Sequence, residues 1–264
     1  MKRAHARPHP RQALKAINLW YGHPLTSVLL VDTPLPEGEW TNTFAYWDRG
    51  WCRMEILASA MVKNAMCLIH LSQLTGEETD WVDVFVKGKG ARLPPMSPTA
   101  FAAMIEEGLA KAVGDVGEIR FTHSGDAKLV STIYKSAFMT EMGNAAVLSY
   151  CGLEWDDAAG LELCEALRYA HQATDVFTKL KTLLLNENKL GDGFVKSFAA
   201  LLNEGGLTKV EWLDLQRNSI SDQGMQELAD AIERGGLPLC RTILLGDNPG
   251  SAAPVSEALK ERKK

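Results

Sequence analysis

The sequence predicts an α/β chain whose carboxyl-terminal part is a short solenoid of parallel strands and outer helices, preceded by an incomplete βα sheet and a helical connector. Three observations predict it. A ladder of apolar residues ending in asparagine recurs at a fixed offset in the last third of the chain, and an amphipathic helical pattern follows each copy. Near the start, two runs rich in valine, leucine and isoleucine alternate with helical patterns.

Residues 1–12 carry Lys2, Arg3, Arg7 and Arg11 with Pro8 and Pro10 and no acidic residue. They read as a basic tail, with a transit peptide as the alternative. Residues 13–75 form the βα unit. Apolar spacing predicts helices over 13–21 and 46–63, and unbroken apolar runs predict strands over 27–31 and 65–71. Strands of that kind form a parallel sheet that needs cover on both faces. Residues 76–143 read as a connector with helices over 77–86, 98–113 and 125–139 and a short candidate strand at 118–122. Packed on the first repeat, it would shield leucines from water.

Residues 144–264 hold the repeats. Leu180, Leu183, Leu185, Asn188 and Leu190 recur as Val210, Leu213, Leu215, Asn218 and Ile220, then as Cys240, Ile243, Leu245, Asn248 and Gly250, 30 positions apart each time. Leu148, Cys151 and Leu153 read as an earlier, looser copy, with extra residues around 171–179 and Cys151 in the asparagine's place. Alternating apolar residues point one way from a short strand, and the asparagine amide turns inward to bond the backbone of the next turn. Helices are predicted over 158–169, 193–202, 222–234 and 252–262. No single turn buries its own leucines, so neighbouring turns stabilise one another.

These residues resemble the ribonuclease-inhibitor class of leucine-rich repeats, most closely at Asn188-Lys-Leu-Gly-Asp192 and Asn218-Ser-Ile-Ser-Asp-Gln-Gly224. The resemblance implies a curved stack with its strands on the concave face, a surface that binds another protein. The outward residues include Leu184, Asn186, Glu187, Trp212, Asp214, Gln216, Arg217, Leu244 and Asp247. Trp212 beside Leu184 and Leu244 would form an apolar row rimmed by charge, which suits an interface.

A second motif is Tyr46-Trp47-Asp48-Arg49-Gly50-Trp51-Cys52-Arg53-Met54-Glu55. It resembles the W-C-x-x-E helix start of TIR domains and is similar to the Y-W-x-R-x-W-x-x-Q-E motif of heterokaryon-incompatibility domains. The resemblance implies NAD as substrate and Glu55 as the catalytic carboxylate. A broader resemblance, through Leu19-Trp-Tyr-Gly-His-Pro24 and Pro94-Pro-Met-Ser-Pro98, is to predicted proteins of unicellular algae that join such a region to ribonuclease-inhibitor-like repeats. The residues before Ser27 leave room for one helix, so the sheet is expected to lack the strands that hold a nucleotide. The favoured expectation is therefore a protein-binding chain with no cofactor, in which Tyr46 and Trp51 bury their rings and Arg49 and Glu55 pair or cap at the helix start. NAD cleavage by Glu55 is the alternative.

Composition agrees with that emphasis. With 28 basic and 33 acidic residues the net charge is −5, which argues against nucleic acid or an anionic membrane as the partner. No apolar run is long enough to span a bilayer. Five scattered cysteines fit buried thiols of a cytoplasmic protein. His5 and His9 are separated by Pro8, Cys67 and His70 have an odd strand offset, and Gly88-Lys-Gly90 lacks a phosphate-loop pattern, so none reads as a metal or phosphate site.

Overall fold

The structure, a computed structural model, describes residues 17–23, 25–40, 42–89, 92–173 and 179–262. It is an α/β fold in which, among the described residues, every paired strand is parallel. Among the described residues no helix is long and apolar enough to cross a membrane.

The amino-terminal unit begins with helix α1 (Ile17–Gly22), the described part of the helix expected over 13–21. Strand β1 (Val28–Leu30) pairs with β2 (Leu68–His70), with Val28 opposite Leu68 and Leu30 opposite His70. The second strand is shorter than its apolar run. A turn at Ala65–Cys67 precedes it, where the Asn64 side chain accepts from Met66 N at 3.0 Å, so asparagine turn chemistry overrides strand propensity. Between the strands, a single turn at Tyr46–Asp48 leads into α2 (Gly50–Ala60). The helix expected over 46–63 is thus two pieces, broken at Arg49, which is extended. Cover on both sheet faces is incomplete, since Leu29 remains 58% exposed.

The connector holds α3 (Trp81–Gly88), α4 (Pro98–Ala110) and α5 (Asp126–Asn144). Helix α3 starts four residues later than expected. Glu78 accepts from Thr75 N and Gly76 N, and Asp80 caps the helix by accepting from Asp83 N, so these acids close a turn before the first helical residue. Helix α4 stops at Ala110 because Asp115 accepts from Ala112 N and Gly114 adopts φ +94°. Helix α5 runs five residues beyond 139 with no breaker to stop it. The stretch at 118–122 makes one parallel bridge, Arg120 to Arg49, instead of a strand.

Four strand and helix units follow. Strands β3 (Val147–Ser149), β4 (Thr182–Leu184), β5 (Trp212–Asp214) and β6 (Thr242–Leu244) form one parallel sheet in chain order. Each is followed by a helix: α6 (Asp157–Gln172), α7 (Asp192–Asn203), α8 (Asp222–Glu233) and α9 (Ala253–Glu261). Leu183, Leu213 and Ile243 share one register position, as the 30-residue offset requires.

The asparagines tie adjacent turns, although each reaches back to the preceding turn and not forward. Asn218 Nδ2 donates to Leu185 O and Leu215 O, and its Oδ1 accepts from Leu190 N. Asn248 repeats this with Leu215 O, Leu245 O and Ile220 N. The first copy needs a corrected register. Leu148 lies opposite Leu183, an offset of 35, so Leu153 occupies the asparagine position and Cys151 aligns with Asn186. Asn188 makes the same backward contact as the other asparagines, its Oδ1 accepting from Leu153 N and Trp155 N. Part of the insertion expected at 171–179 lies outside the described residues.

A second ladder runs along the helix starts. Asp157 accepts from Gly191, Gly193 and Phe194 amides of the next unit, Asp192 from Ser221 N, and Asp222 from Ser251 N. Asp157 satisfies orphan amides in the first turn of α7, while Asp192 and Asp222 hold the chain entering α8 and α9. A Cβ on Gly224 would fall 2.3 Å from Asp192 Oδ1, so any larger residue there would have to displace that carboxylate.

The buried core is continuous from Leu30 to Ala258. Its junction between α2 and the repeats is polar. Arg92 is 2% exposed and its Nε donates to Ala60 O at 2.7 Å, while Nη1 reaches Ser149 O at 3.2 Å. The guanidinium stacks 4.7 Å from the Tyr150 ring, and Tyr150 Oη donates to Met61 O at 2.6 Å.

Candidate functional site

The open face of the carboxyl-terminal sheet is built row by row. Along a strand every second side chain points outward, and the parallel register fixes which of these become neighbours. The first row is Val147, Thr182, Trp212 and Thr242; the second is Ser149, Leu184, Asp214 and Leu244. Backbone pairing continues the pattern with Cys151, Asn186, Gln216 and Gly246. Trp212 is 42% exposed on this face.

This register corrects the expected apolar row. Trp212 has Thr182 and Thr242 as lateral neighbours, whereas Leu184 and Leu244 flank Asp214. The three residues are 28 and 32 positions apart instead of 30, so Trp212 meets the leucines only diagonally. Asp214 accepts from Gln216 N at 3.0 Å, and Gln216 Nε2 lies 3.3 Å from the same carboxylate.

Charge lies at the two edges of these rows. After the strands, Glu187, Arg217 and Asp247 each have positive φ, at 60°, 53° and 57°, with Gly152 in the same place of the first unit. Arg217 Nη1 contacts Glu187 Oε1 at 3.0 Å and its Nε contacts Asp247 Oδ2 at 3.3 Å. Before the strands, Lys181 pairs with Glu211 at 2.9 Å, and Arg241 adds to the field that, together with Lys181, holds the Glu211 carboxyl below its usual range.

The second candidate, Glu55, lies on α2 at intermediate exposure. Burial pushes its carboxyl above the usual range, and a hydrogen bond from Tyr21 partly offsets that. Tyr21 in turn is pushed up to about 12, first by burial and then by Glu55. Arg49 and Glu55 do not take the partners expected of them. Arg49 Nε donates to Phe44 O at 2.8 Å, leaving Glu55 to Tyr21. Trp51 is half-buried with its Nε1 donating to Asp126 Oδ2 at 2.9 Å, which ties α2 to α5. Gly50 opens the helix under the Phe121 ring, whose Cζ would lie 2.0 Å from any Cβ there.

Two clefts adjoin this motif. One, of about 380 Å³ at the carboxyl end of β1, is lined by residues including Asp32, Tyr46, Trp47 and Arg49. The other, of about 450 Å³, includes Arg49, Trp51, Cys52 and Phe121. Glu55 lines neither.

Sequence reasoning did not find Asp32. Its carboxylate accepts from Ser72 N at 3.0 Å and bonds His70 Nδ1 at 2.8 Å. Burial opposes its charge, but the Ser72 amide and His70 bring its pKa below the usual range. Trp47 stacks on the His70 ring at 6.1 Å, and His70 Nε2 is buried without a partner. The pair joins residues 38 positions apart, with no local pattern to announce it. Among the described residues no group of three or more His, Cys, Asp or Glu side chains is placed to hold a metal. His5, His9 and Gly90 lie outside the described residues. All five cysteines are free thiols, with Cys164 and Cys240 buried.

No protein-family model matches the chain, and a search of curated proteins returns no significant match.

Proposed function

We propose that the four carboxyl-terminal units are a ribonuclease-inhibitor-type leucine-rich repeat solenoid whose open sheet face binds another protein in a recognition role, without a cofactor. The observation that carries this reading is the outward row structure. An exposed tryptophan and two leucines surround a polar centre and are bounded on both sides by charge, the composition of an interface core and rim. The connector covers the first repeat, and the amino-terminal βα unit serves as a second docking or signalling module. The cytoplasm is the compartment this reading fits.

The test uses purified full-length protein carrying Trp212→Ala together with Arg217→Ala. A partner that co-purifies with the wild type is lost from the double variant while the melting temperature stays nearly the same. Unaltered recovery rules out this face.

NAD cleavage by Glu55, in a TIR-like or heterokaryon-incompatibility-like site, is the weaker reading. A carboxylate that stabilises a developing oxocarbenium ion must face bound ribose, whereas Glu55 lines neither cleft. Incubation with NAD tests it. Turnover by the wild type that disappears in Glu55→Ala would displace the binding reading.

A further inference from the structure

The charges on the open sheet face do not all have partners. At one edge Arg217 lies between Glu187 and Asp247, and at the other Lys181 pairs with Glu211. Between those edges the three outward rows contain one formally charged side chain, Asp214. Among the described residues it forms no ion pair, and its hydrogen bonds come from Gln216 alone. It is partly buried at the centre of the sheet, with Leu184 and Leu244 directly to either side.

A carboxylate held among leucines loses solvation when a partner covers the face, and an uncompensated buried charge is costly. A partner able to cover this face must therefore bring a cation to that point. The surroundings specify which cation fits. Trp212 lies two residues along the same strand on the same side, about 7 Å away, within reach of a planar group that stacks on its ring while bonding the carboxylate. The leucines on either side suit an aliphatic stem. A guanidinium meets all three demands, since its fork matches a carboxylate and its plane stacks on an aromatic face; an ammonium offers neither the fork nor the plane.

We propose that this face, on the protein-binding reading above, takes one arginine side chain of its partner, with the guanidinium on Asp214 and against Trp212 and the stem between Leu184 and Leu244.

The experiment selects a phage-displayed library of random dodecapeptides on the immobilised full chain. The selected peptides share an arginine with apolar neighbours. Their binding falls about thirtyfold on Asp214→Asn, the loss that follows from removing one partner of a desolvated charge pair. It falls comparably when the peptide arginine is replaced by citrulline, which keeps the shape without the charge. Asp214→Asn retains an oxygen that can accept from Gln216 N, so the variant keeps its fold, checked by its melting temperature.

Peptides that lose binding on Trp212→Ala but lack arginine and tolerate Asp214→Asn would overturn the arginine site while leaving the binding face intact. Peptides indifferent to both substitutions, or no selected peptide at all, would overturn the arginine site and count against the face itself. Lysine in place of arginine, with equal affinity, would overturn the stacked guanidinium.

Discussion

The repeats and the amino-terminal unit are both made of short parallel strands and helices, yet they satisfy their buried polar groups in opposite ways. In the repeats one solution is used again and again. Asn188, Asn218 and Asn248 bridge adjacent turns, and Asp157, Asp192 and Asp222 cap the next unit's helix or its entry. In the amino-terminal unit each polar connection is made once, between residues far apart. Asp32 holds His70, Trp51 holds Asp126, and Lys63, fully buried with its pKa pulled down to about 8 by burial, donates to Thr26 Oγ1. Repetition spreads stability over equivalent bonds, while single contacts concentrate it.

The sharpest way to test that contrast is Arg92→Met, at the seam between the two regions. The substitution keeps much of the volume but leaves Ala60 O without its Arg92 donor and removes the stack on Tyr150. The expected loss is about 3 kcal/mol, measured by urea unfolding. The wild type is expected to unfold in one transition because its core is continuous, and the variant in two. Retention of a single transition at the lower stability would place the coupling in the apolar core and not in the guanidinium.

Asn218→Ala is expected to cost somewhat less, about 2 kcal/mol, although both side chains are buried. Leu190 N loses its partner, but Leu185 O still accepts from Asn188 and Leu215 O from Asn248. The redundancy of the ladder predicts that the loss stays below that of Arg92→Met in the same urea series. A larger loss at Asn218 would reverse the contrast drawn between repeated and single contacts.

The same contrast explains what the sequence made legible. The 30-residue offset aligned Leu183, Leu213 and Ile243 and the three asparagines correctly, because periodicity is a signal that adds up over copies. The first copy is hidden from the 30-residue period because Leu153 stands where the asparagine would be and its offset to the next copy is 35. The lateral neighbours of Trp212 follow from the 30-residue spacing, which sets Thr182 and Thr242 beside it and leaves the chemically similar Leu184 and Leu244 one row away. Asp32, His70 and Arg92 gave no local pattern at all, since tertiary contacts across 32 to 57 positions leave none.

Glu55 offers a smaller and pH-dependent effect. Its folded-state pKa is raised above the ordinary 4.5 by burial, so the folded chain binds the proton more tightly than the unfolded chain does. Stability contributed through this group is therefore greatest at low pH and declines as pH rises from about the ordinary value through the raised one. Glu55→Gln removes the titration while retaining an oxygen for Tyr21. The variant should melt higher than the wild type at neutral pH, with the difference vanishing below pH 4.5. A difference that is constant across the range would mean that the carboxylate's burial does not govern its energetics.

The smallest stability effect is expected where the charges are most conspicuous. Arg217 bonds both Glu187 and Asp247, yet all three side chains are exposed, at 63%, 51% and 74%, so water and salt screen their attraction. Arg217→Ala should therefore leave the melting temperature within experimental error, even though it breaks two ion pairs at once. Removing the arginine also frees two carboxylates at the edge of the sheet, so the face becomes more negative without becoming less stable. If the edge pairs restrict the cationic anchor to Asp214, peptides selected on Arg217→Ala should gain basic residues beyond the single arginine, whereas an unchanged sequence pattern would mean that the edge takes no part in choosing the partner.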